Sequence, residues 1–328
     1  MLHLNDYSLA RGLAAPSTSA AATSEATEGL PEWNLADLYS GIDAPELQED
    51  LRRAADESAA FETRWKGKLK EAAENAAAGG LGQALKEYEA LDDLLGRIGS
   101  YAGLLYTADT SDPVRAKFYG DVQEKLTDAS AKLLFFTLEL NQIDDALVDA
   151  AFEADATFAH YKPWVVDLRK DKPYQLEDRI EQLFHEKSIT GRGAFNRLFD
   201  ETMSSLRFDI GGEKLALEPT LNRMQDPDEA VRREAAEALA TTFRENIRLF
   251  TLITNTLAKD KEISDRWRGF QDIADSRHLA NRVEREVVDA LAEAVKSAYP
   301  KLSHRYYAMK AKWLGLERMN HWNRNAPL

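Results

Sequence analysis

Residues 226–257 read DPDEAVRREAAEALATTFRENIRLFTLITNTL, and this stretch decides the predicted fold class. Its apolar side chains recur every three or four residues: Val231, Ala235, Leu239, Phe243, Ile247, Phe250, Ile253 and Leu257. A helix of 3.6 residues per turn places such residues on one face. Asp226-Pro227 is typical of an N-cap followed by proline, and two acids then complement the helix dipole. The pattern predicts one long uninterrupted helix, as in large bundles or coiled coils.

The same periodicity extends over most of the chain and predicts further helices. Its clearest stripe is formed by Leu85, Tyr88, Leu91, Leu95, Ile98, Ala102 and Leu105. Asp112-Pro113 predicts another capped helix start, and further helices are predicted up to Tyr299 and from about Ser303 to Leu314. The predicted fold class is therefore mainly α, a large multi-helix architecture resembling a bundle.

One segment, near residues 206–217, breaks the helical pattern and predicts a small β-hairpin. Apolar residues alternate on both sides of Gly211-Gly212, and a two-residue glycine turn is a hairpin signal. The predicted cross-strand pairs are Phe208 with Leu215, Leu206 with Leu217, and Asp209 with Lys214. Both faces agree with this single register.

Composition and charge exclude several classes of function. The 328 residues include 42 Lys and Arg against 56 Asp and Glu, a net charge of −14, which repels nucleic-acid backbones and anionic membrane surfaces. We therefore expect neither nucleic acid nor membrane as a partner. Cysteine is absent, which excludes disulfides and thiol chemistry and fits a cytoplasmic location. The Ala/Ser/Thr-rich start predicts a disordered tail over residues 1–29.

No complete catalytic motif is present in the sequence. The six histidines are His3, His160, His185, His278, His304 and His321, and no two of them are four residues apart. A local helical zinc site needs that spacing, because both imidazoles must project from one face. We interpret His185 as a surface or partly buried helix residue. The sequence also lacks a G-x-S-x-G nucleophile motif and a phosphate-binding loop.

A short polar and aromatic run near the C-terminus is the candidate substrate-binding site. His304, Arg305, Tyr306 and Tyr307 follow one another on a predicted helix that Gly315 is expected to end. These four side chains could line a cleft for peptides. The alternative is that one tyrosine packs in the core while the arginine and the histidine face solvent.

Ten short motifs, in the same order, resemble oligoendopeptidase F-type proteins of the M3 group of zinc metallopeptidases. They are LPEWNLADLY (30–39), PYQL (173–176), EKSITG (186–191), LFDE (198–201), NTLAKDK (255–261), RGF (268–270), ANRVE (280–284), SHRYY (303–307), KAKWLG (310–315) and RNAPL (324–328). The resemblance covers residues 30–328. One departure is Asn323, where the family usually has aspartate.

The resemblance implies a largely helical, two-lobed peptidase with a deep channel for short peptides. Such enzymes hold one zinc ion through a His-Glu-x-x-His helix and a downstream glutamate, and the motif glutamate acts as general base. In the family that motif follows the Arg-Asn-Ala-Pro-Leu stretch, at which this sequence stops. We therefore expect no catalytic, cofactor or metal residues here and no zinc bound to this chain. Oligomeric state is not predicted.

Two functions remain open at this point. The first is the N-terminal part of a zinc-dependent oligopeptidase, inactive by itself, with a helical lobe over residues 30–200 and the truncated beginning of the catalytic domain over residues 201–328. The second is a non-catalytic helical peptide-binding or scaffold protein. A reading frame that continued into His-Glu-x-x-His would favour the first. A domain cut midway exposes apolar faces, so we expect residues 283–313 and the hairpin to be under-packed.

Overall fold

The computed structural model describes residues 33–328, and over this range the chain is mainly helical. The α-helices are α1 (Pro45–Trp65), α2 (Leu69–Glu74), α3 (Gly80–Ala108), α4 (Pro113–Ala131), α5 (Leu134–Gln142), α6 (Asp145–Ala154), α7 (Ala156–His160), α8 (Lys162–Leu168), α9 (Asp178–Lys187), α10 (Ala194–Ser205), α11 (Leu217–Arg223), α12 (Glu229–Glu245), α13 (Ile247–Arg268), α14 (Asp275–Ala280), α15 (Arg285–Ala298) and α16 (Ser303–Trp313). Strands β1 (Phe208–Ile210) and β2 (Glu213–Leu215) form a two-stranded antiparallel sheet. The predicted fold class is confirmed. The tail predicted for residues 1–29 lies outside the described residues.

The described residues divide into two compact units. The first unit consists of residues 33–195 together with 263–270, and the second consists of residues 196–262 and 271–328. The end of α13 therefore packs with the first unit, although most of that helix belongs to the second.

The first unit has one large apolar core built from helices α1 to α8. Its centre is aromatic: the Tyr88 ring stacks on Phe136 with 4.6 Å between centroids, and Phe61 meets Phe136 edge-on at 5.5 Å. Buried aromatic side chains contribute both area and specific ring geometry to stability. The predicted stripe of α3 faces this core, where Leu95 and Ile98 are fully buried.

Capping side chains determine where several helices of the first unit begin. The Asp112 carboxylate accepts from the backbone N–H groups of Val114 and Arg115, which confirms the predicted start of α4. Asp155 accepts from the N–H groups at the start of α7 and also, at 2.9 Å, from the N–H of Gly82. A Cβ at position 82 would lie 2.7 Å from an Asp155 oxygen, so only glycine allows this approach.

Residues 263–270, the second part of the first unit, are held there by one buried ion pair. Both Arg268 terminal nitrogens donate to Glu181, at 2.6 and 2.7 Å, and Arg268 also donates to the Tyr174 carbonyl. The Phe270 ring stacks on Tyr174 at 4.1 Å. Burial raises the pKa of Glu181, but the hydrogen bonds and charge of Arg268 outweigh it and hold that pKa below its usual range. Glu181 is therefore an ionised carboxylate in a well-packed setting.

In the second unit the hairpin has the predicted register over its three-residue strands. Phe208 pairs with Leu215 and Asp209 pairs with Lys214, and both turn glycines have positive φ, as a tight hairpin turn requires. The predicted pair Leu206–Leu217 is wrong, because Leu217 already begins α11. The expected under-packing of the hairpin is also wrong. Phe208 is fully buried and meets the Phe243 ring of α12 at 5.6 Å.

The long helix predicted from residue 226 is in fact two helices. The break occurs at Asn246, whose side-chain amide donates to the Thr242 carbonyl at 2.9 Å and so competes with helical backbone bonding. The N-cap is Asp228, which accepts from the Ala230 N–H at 2.8 Å, and not the predicted Asp226. Asp226 accepts from the Asp228 N–H instead, two residues before the N-cap.

Apolar residues of α15 are exposed, which confirms the expectation for the 283–313 segment. Val287, Leu291 and Val295 lie on one face of α15 and are 54%, 64% and 44% exposed. Every residue from 289 to 297 is exposed. No described residue covers this stripe, so α15 lacks the tertiary packing that usually stabilises an amphipathic helix.

Candidate functional site

The candidate residues His304 to Tyr307 form the first turns of α16, in the second unit. The helix ends as predicted at Gly315, which has φ +69°. The Leu316 N–H donates to the Ala311 carbonyl and the Gly315 N–H to the Lys312 carbonyl, the pattern of a Schellman motif. Glycine permits this left-handed residue without steric cost, so the end of α16 is set locally.

The inner face of α16 is fixed by buried polar contacts to the C-terminal segment. Lys310 is buried, and its ammonium donates to the Arg324 carbonyl at 2.9 Å. The neighbouring Ala311 is also buried. A buried ammonium is costly unless it is hydrogen-bonded, so this contact determines which face of α16 turns inward.

The C-terminal segment is in turn attached to α12 through Asn323. Asn323 is fully buried; its oxygen accepts from Arg232 at 3.1 Å and its nitrogen donates to Glu229 at 3.2 Å. The Trp322 indole N–H donates to the same Glu229 oxygen at 2.9 Å. Hydrogen bonds from Trp322 and Asn323, then the charge of Arg232, lower the pKa of Glu229. An amide suits this position because it accepts from a cation and donates to an anion at once.

All four candidate residues are exposed, although as consecutive helix residues they point in different directions around α16. Tyr306 and Tyr307 are 43% and 36% exposed, with ring centroids 5.3 Å apart in an edge-on arrangement. The His304 ring lies 6.2 Å from that of Tyr299. Neither tyrosine is a core residue, contrary to the alternative weighed from the sequence. That these residues line a substrate cleft stays a prediction.

Sequence reasoning missed the continuation of this surface along α16. Tyr306, Met309 and Trp313 recur at steps of three and four, lie on one face, and are 43%, 38% and 57% exposed. Arg305 and Lys312 lie along one edge of this stripe and are exposed too. The spacing of these five residues was visible in the sequence, but it did not reveal that the stripe faces outward. We call these five residues the α16 surface.

A serine–histidine pair occurs in the first unit, but the serine is buried and the pair has a structural role. The His185 Nε2 atom lies 2.8 Å from the Ser130 hydroxyl, which also donates to the Thr127 carbonyl at 3.1 Å. Ser130 is only 5% exposed, so a substrate cannot reach its oxygen. Burial lowers the pKa of His185. The interpretation of His185 as a partly buried helix residue is confirmed.

Comparison with known proteins identifies what this fold is similar to. Residues 139–208, from α5 into β1, match the family model described as Oligopeptidase F. The crystal structure of oligoendopeptidase-F from Enterococcus faecium superposes with a TM-score of 0.74 at 18% identity, over 86% of this chain and 56% of that one. The resemblance to oligoendopeptidase F-type proteins is thereby confirmed. At this level of identity the structural match shows an oligoendopeptidase F-like fold.

A relative of known sequence agrees with this resemblance. Group B oligopeptidase PepB from Streptococcus agalactiae is 22% identical over 241 residues, which cover 71% of this chain and 40% of the relative. The chain thus spans about half the length of the oligoendopeptidase F-type proteins it matches.

The described residues do not fit the zinc site that the oligoendopeptidase F resemblance implies. Among residues 33–328 no three side chains of His, Cys, Asp or Glu converge so as to hold a metal ion. Zinc sites in proteins use three or four such ligands, so no metal-dependent step is assigned to the described part of the chain. No described helix is both long and apolar enough to cross a membrane. The cytoplasmic location stays a prediction.

Proposed function

We propose that this chain is the N-terminal part of a zinc-dependent oligopeptidase that cleaves internal bonds of short peptides. In this proposal the chain contributes a peptide-binding wall and does not hydrolyse peptides by itself. The observation that carries it is the extent of the structural match, 86% of this chain at a TM-score of 0.74. The proposal divides the chain into a helical lobe of residues 30–200 and the beginning of the catalytic domain over residues 201–328.

The α16 surface supports the peptide-binding role. The Tyr306 hydroxyl and the Arg305 guanidinium can donate to the carbonyl and carboxylate oxygens of a peptide, and aromatic faces can pack against its apolar side chains. Lys310 ties α16 to the C-terminal segment and Asn323 ties that segment to α12, so the surface is presented on a rigid element. Substrate-binding groups on rigid elements lose less conformational entropy on binding.

The lack of hydrolysis is tested with short internally quenched peptides, each incubated with this chain, with and without added zinc. We expect no cleavage above the rate without protein in either condition. Zinc-dependent cleavage that a chelator abolishes and that co-purifies with this chain would show that the inactivity proposal is wrong.

Peptide binding is tested separately by isothermal titration calorimetry with uncleaved short peptides. We expect binding that Tyr306→Ala weakens and that Leu252→Ala leaves unchanged. Leu252 is a matched control because it is an exposed apolar residue of the same unit, at 56% exposure. Equal binding by both variants would contradict a role for the α16 surface.

A further inference from the structure

The charge of this chain is distributed unevenly, and an excess of positive charge lies in the C-terminal segment that includes the α16 surface. Residues 296–328 contain seven lysines and arginines against one glutamate, a net charge of +6 in a chain of net charge −14. The basic residues are Lys296, Lys301, Arg305, Lys310, Lys312, Arg318 and Arg324. A local concentration of one sign raises the local concentration of ligands of the opposite sign.

Among these cations, Arg305 and Lys312 lie on α16 and are free to meet a ligand. Both are exposed, and neither side chain makes a hydrogen bond or an ion pair with any residue of the described range 33–328. Most exposed cations of α1 differ in this respect, since Arg52 and Arg53 pair with acids one turn away on their own helix. Helix α16 has no acidic residue with which its cations could pair.

These two cations lie along one edge of the apolar stripe of the α16 surface. They are seven residues apart, about 10 Å along the helix at ~1.5 Å per residue. An extended peptide covers that distance with about three residues at ~3.3 Å each. Tyr306, Met309 and Trp313 lie between and beside the cations on the same exposed face. The arrangement combines two carboxylate-binding groups with an apolar contact surface, as peptide recognition requires.

We propose that the α16 surface binds acidic peptides. Arg305 and Lys312 hold carboxylates of the peptide, from side chains or from its C-terminus, while apolar side chains of the peptide pack on Tyr306, Met309 and Trp313. This inference rests on the proposed function and specifies the substrate class of that same surface. The charge of the surface favours this occupant over a basic or neutral peptide.

The test compares three peptides of equal length that differ only at two positions three residues apart, occupied by Glu, Gln or Lys. Isothermal titration calorimetry with the complete 328-residue chain measures each affinity. We expect the Glu peptide to bind about tenfold more tightly than the Gln peptide, the effect of two partly exposed ion pairs. The Lys peptide should bind most weakly. The preference should decrease as NaCl is raised, because salt screens exposed charges.

Charge reversal tests which residues cause the preference for the Glu peptide. The double variant Arg305→Glu/Lys312→Glu should lose the preference for the Glu peptide. The matched control is Lys214→Glu/Arg244→Glu, which makes the same change in net charge at two exposed, unpaired cations of the same unit and should keep the preference. Circular dichroism should show equal helix content for both. Equal loss in both double variants would overturn the inference, since the effect would then come from net charge alone.

The remaining outcomes separate this inference from the proposed function. Equal binding of all three peptides overturns the acidic preference but leaves peptide binding intact. If no peptide binds, both the inference and the peptide-binding wall are wrong. A short single-stranded DNA that binds as tightly as the Glu peptide identifies a general polyanion surface and overturns the inference. Dimerisation in sedimentation experiments that the Arg305→Glu/Lys312→Glu variant abolishes would show that a second copy occupies the surface.

Discussion

The two units differ in how much apolar surface they bury within themselves. In the first unit, 34 buried apolar side chains form one continuous cluster. Among the described residues of the second unit only eight apolar side chains are buried: Leu206, Phe208, Ile210, Ala235, Ala236, Ile253, Ala311 and Ala326. Burial of apolar area is the main favourable term in folding. The first unit therefore stabilises itself, whereas helices α15 and α16 of the second present apolar stripes to their surroundings.

The largest expected effect is in the core of the first unit. Phe136→Ala should lower the free energy of unfolding by about 3–5 kcal/mol, because it removes a fully buried ring and leaves a cavity among Tyr88 and Phe61. The matched change in the second unit, Trp313→Ala at 57% exposure, should change it by less than about 0.5 kcal/mol. Urea denaturation followed by circular dichroism measures both. Comparable losses would mean that α16 is covered and that the contrast between the units is wrong.

The second effect concerns the ion pair that holds residues 263–270 in the first unit. Arg268→Met should cost about 3 kcal/mol at neutral pH, because Glu181 is then a buried carboxylate without its partner. The double variant Arg268→Met/Glu181→Gln should recover part of the loss, since no charge remains buried. Urea denaturation of the three proteins at constant pH gives the comparison. No recovery in the double variant would show that packing, and not the unpaired charge, dominates.

The same ion pair predicts a pH dependence. The folded-state pKa of Glu181 is lowered, so its contribution is present above the unfolded-state value near 4.5 and is lost as pH falls through the folded-state pKa. The first unit should therefore lose stability below about pH 4.5. Thermal unfolding measured from pH 7 to pH 3 should show that Arg268→Met loses less stability on acidification than the unaltered chain does. Parallel curves would contradict the assignment to Glu181.

A smaller effect is expected at the position where the sequence departs from the family. Asn323→Asp should destabilise the second unit by about 1–2 kcal/mol at pH 7, because the buried hydrogen bond that Asn323 donates to Glu229 is lost. Adding Glu229→Gln should restore stability, since a glutamine can donate to the new carboxylate and still accept from Trp322. Urea denaturation of the single and double variants tests this. A single variant as stable as the unaltered chain would show that the ion pair with Arg232 compensates fully.

The smallest effect on stability concerns α15. Leu291→Glu should change the free energy of unfolding by less than about 0.5 kcal/mol, because the side chain is 64% exposed. It should nevertheless reduce concentration-dependent association, since it interrupts an exposed apolar stripe. Static light scattering measures this, with Leu183→Glu as control at a similarly exposed leucine of the first unit. Equal reduction in both variants would contradict a specific role for the α15 stripe.

Local signals in the sequence predicted those features that depend on neighbouring residues. The hairpin register follows from alternation around Gly211-Gly212, the start of α4 from Asp112-Pro113, and the end of α16 from Gly315. The break at Asn246 was missed, because the apolar periodicity continues across it and only the hydrogen bond of the asparagine amide shows the interruption. The second strand was predicted to extend to Leu217 for a similar reason, since Leu217 fits either a strand or the first turn of a helix.

The sequence by itself determined the helical class, the family resemblance and the choice of His304 to Tyr307 as candidates, because these depend on residue type and spacing along the chain. Only the tertiary structure decided which faces are buried. It placed Phe208 in a core, left Val287, Leu291 and Val295 exposed, and turned Lys310 inward so that Arg305 and Lys312 remain free. Periodicity shows that a helix has an apolar face, but burial requires a partner surface, and that partner is distant in sequence.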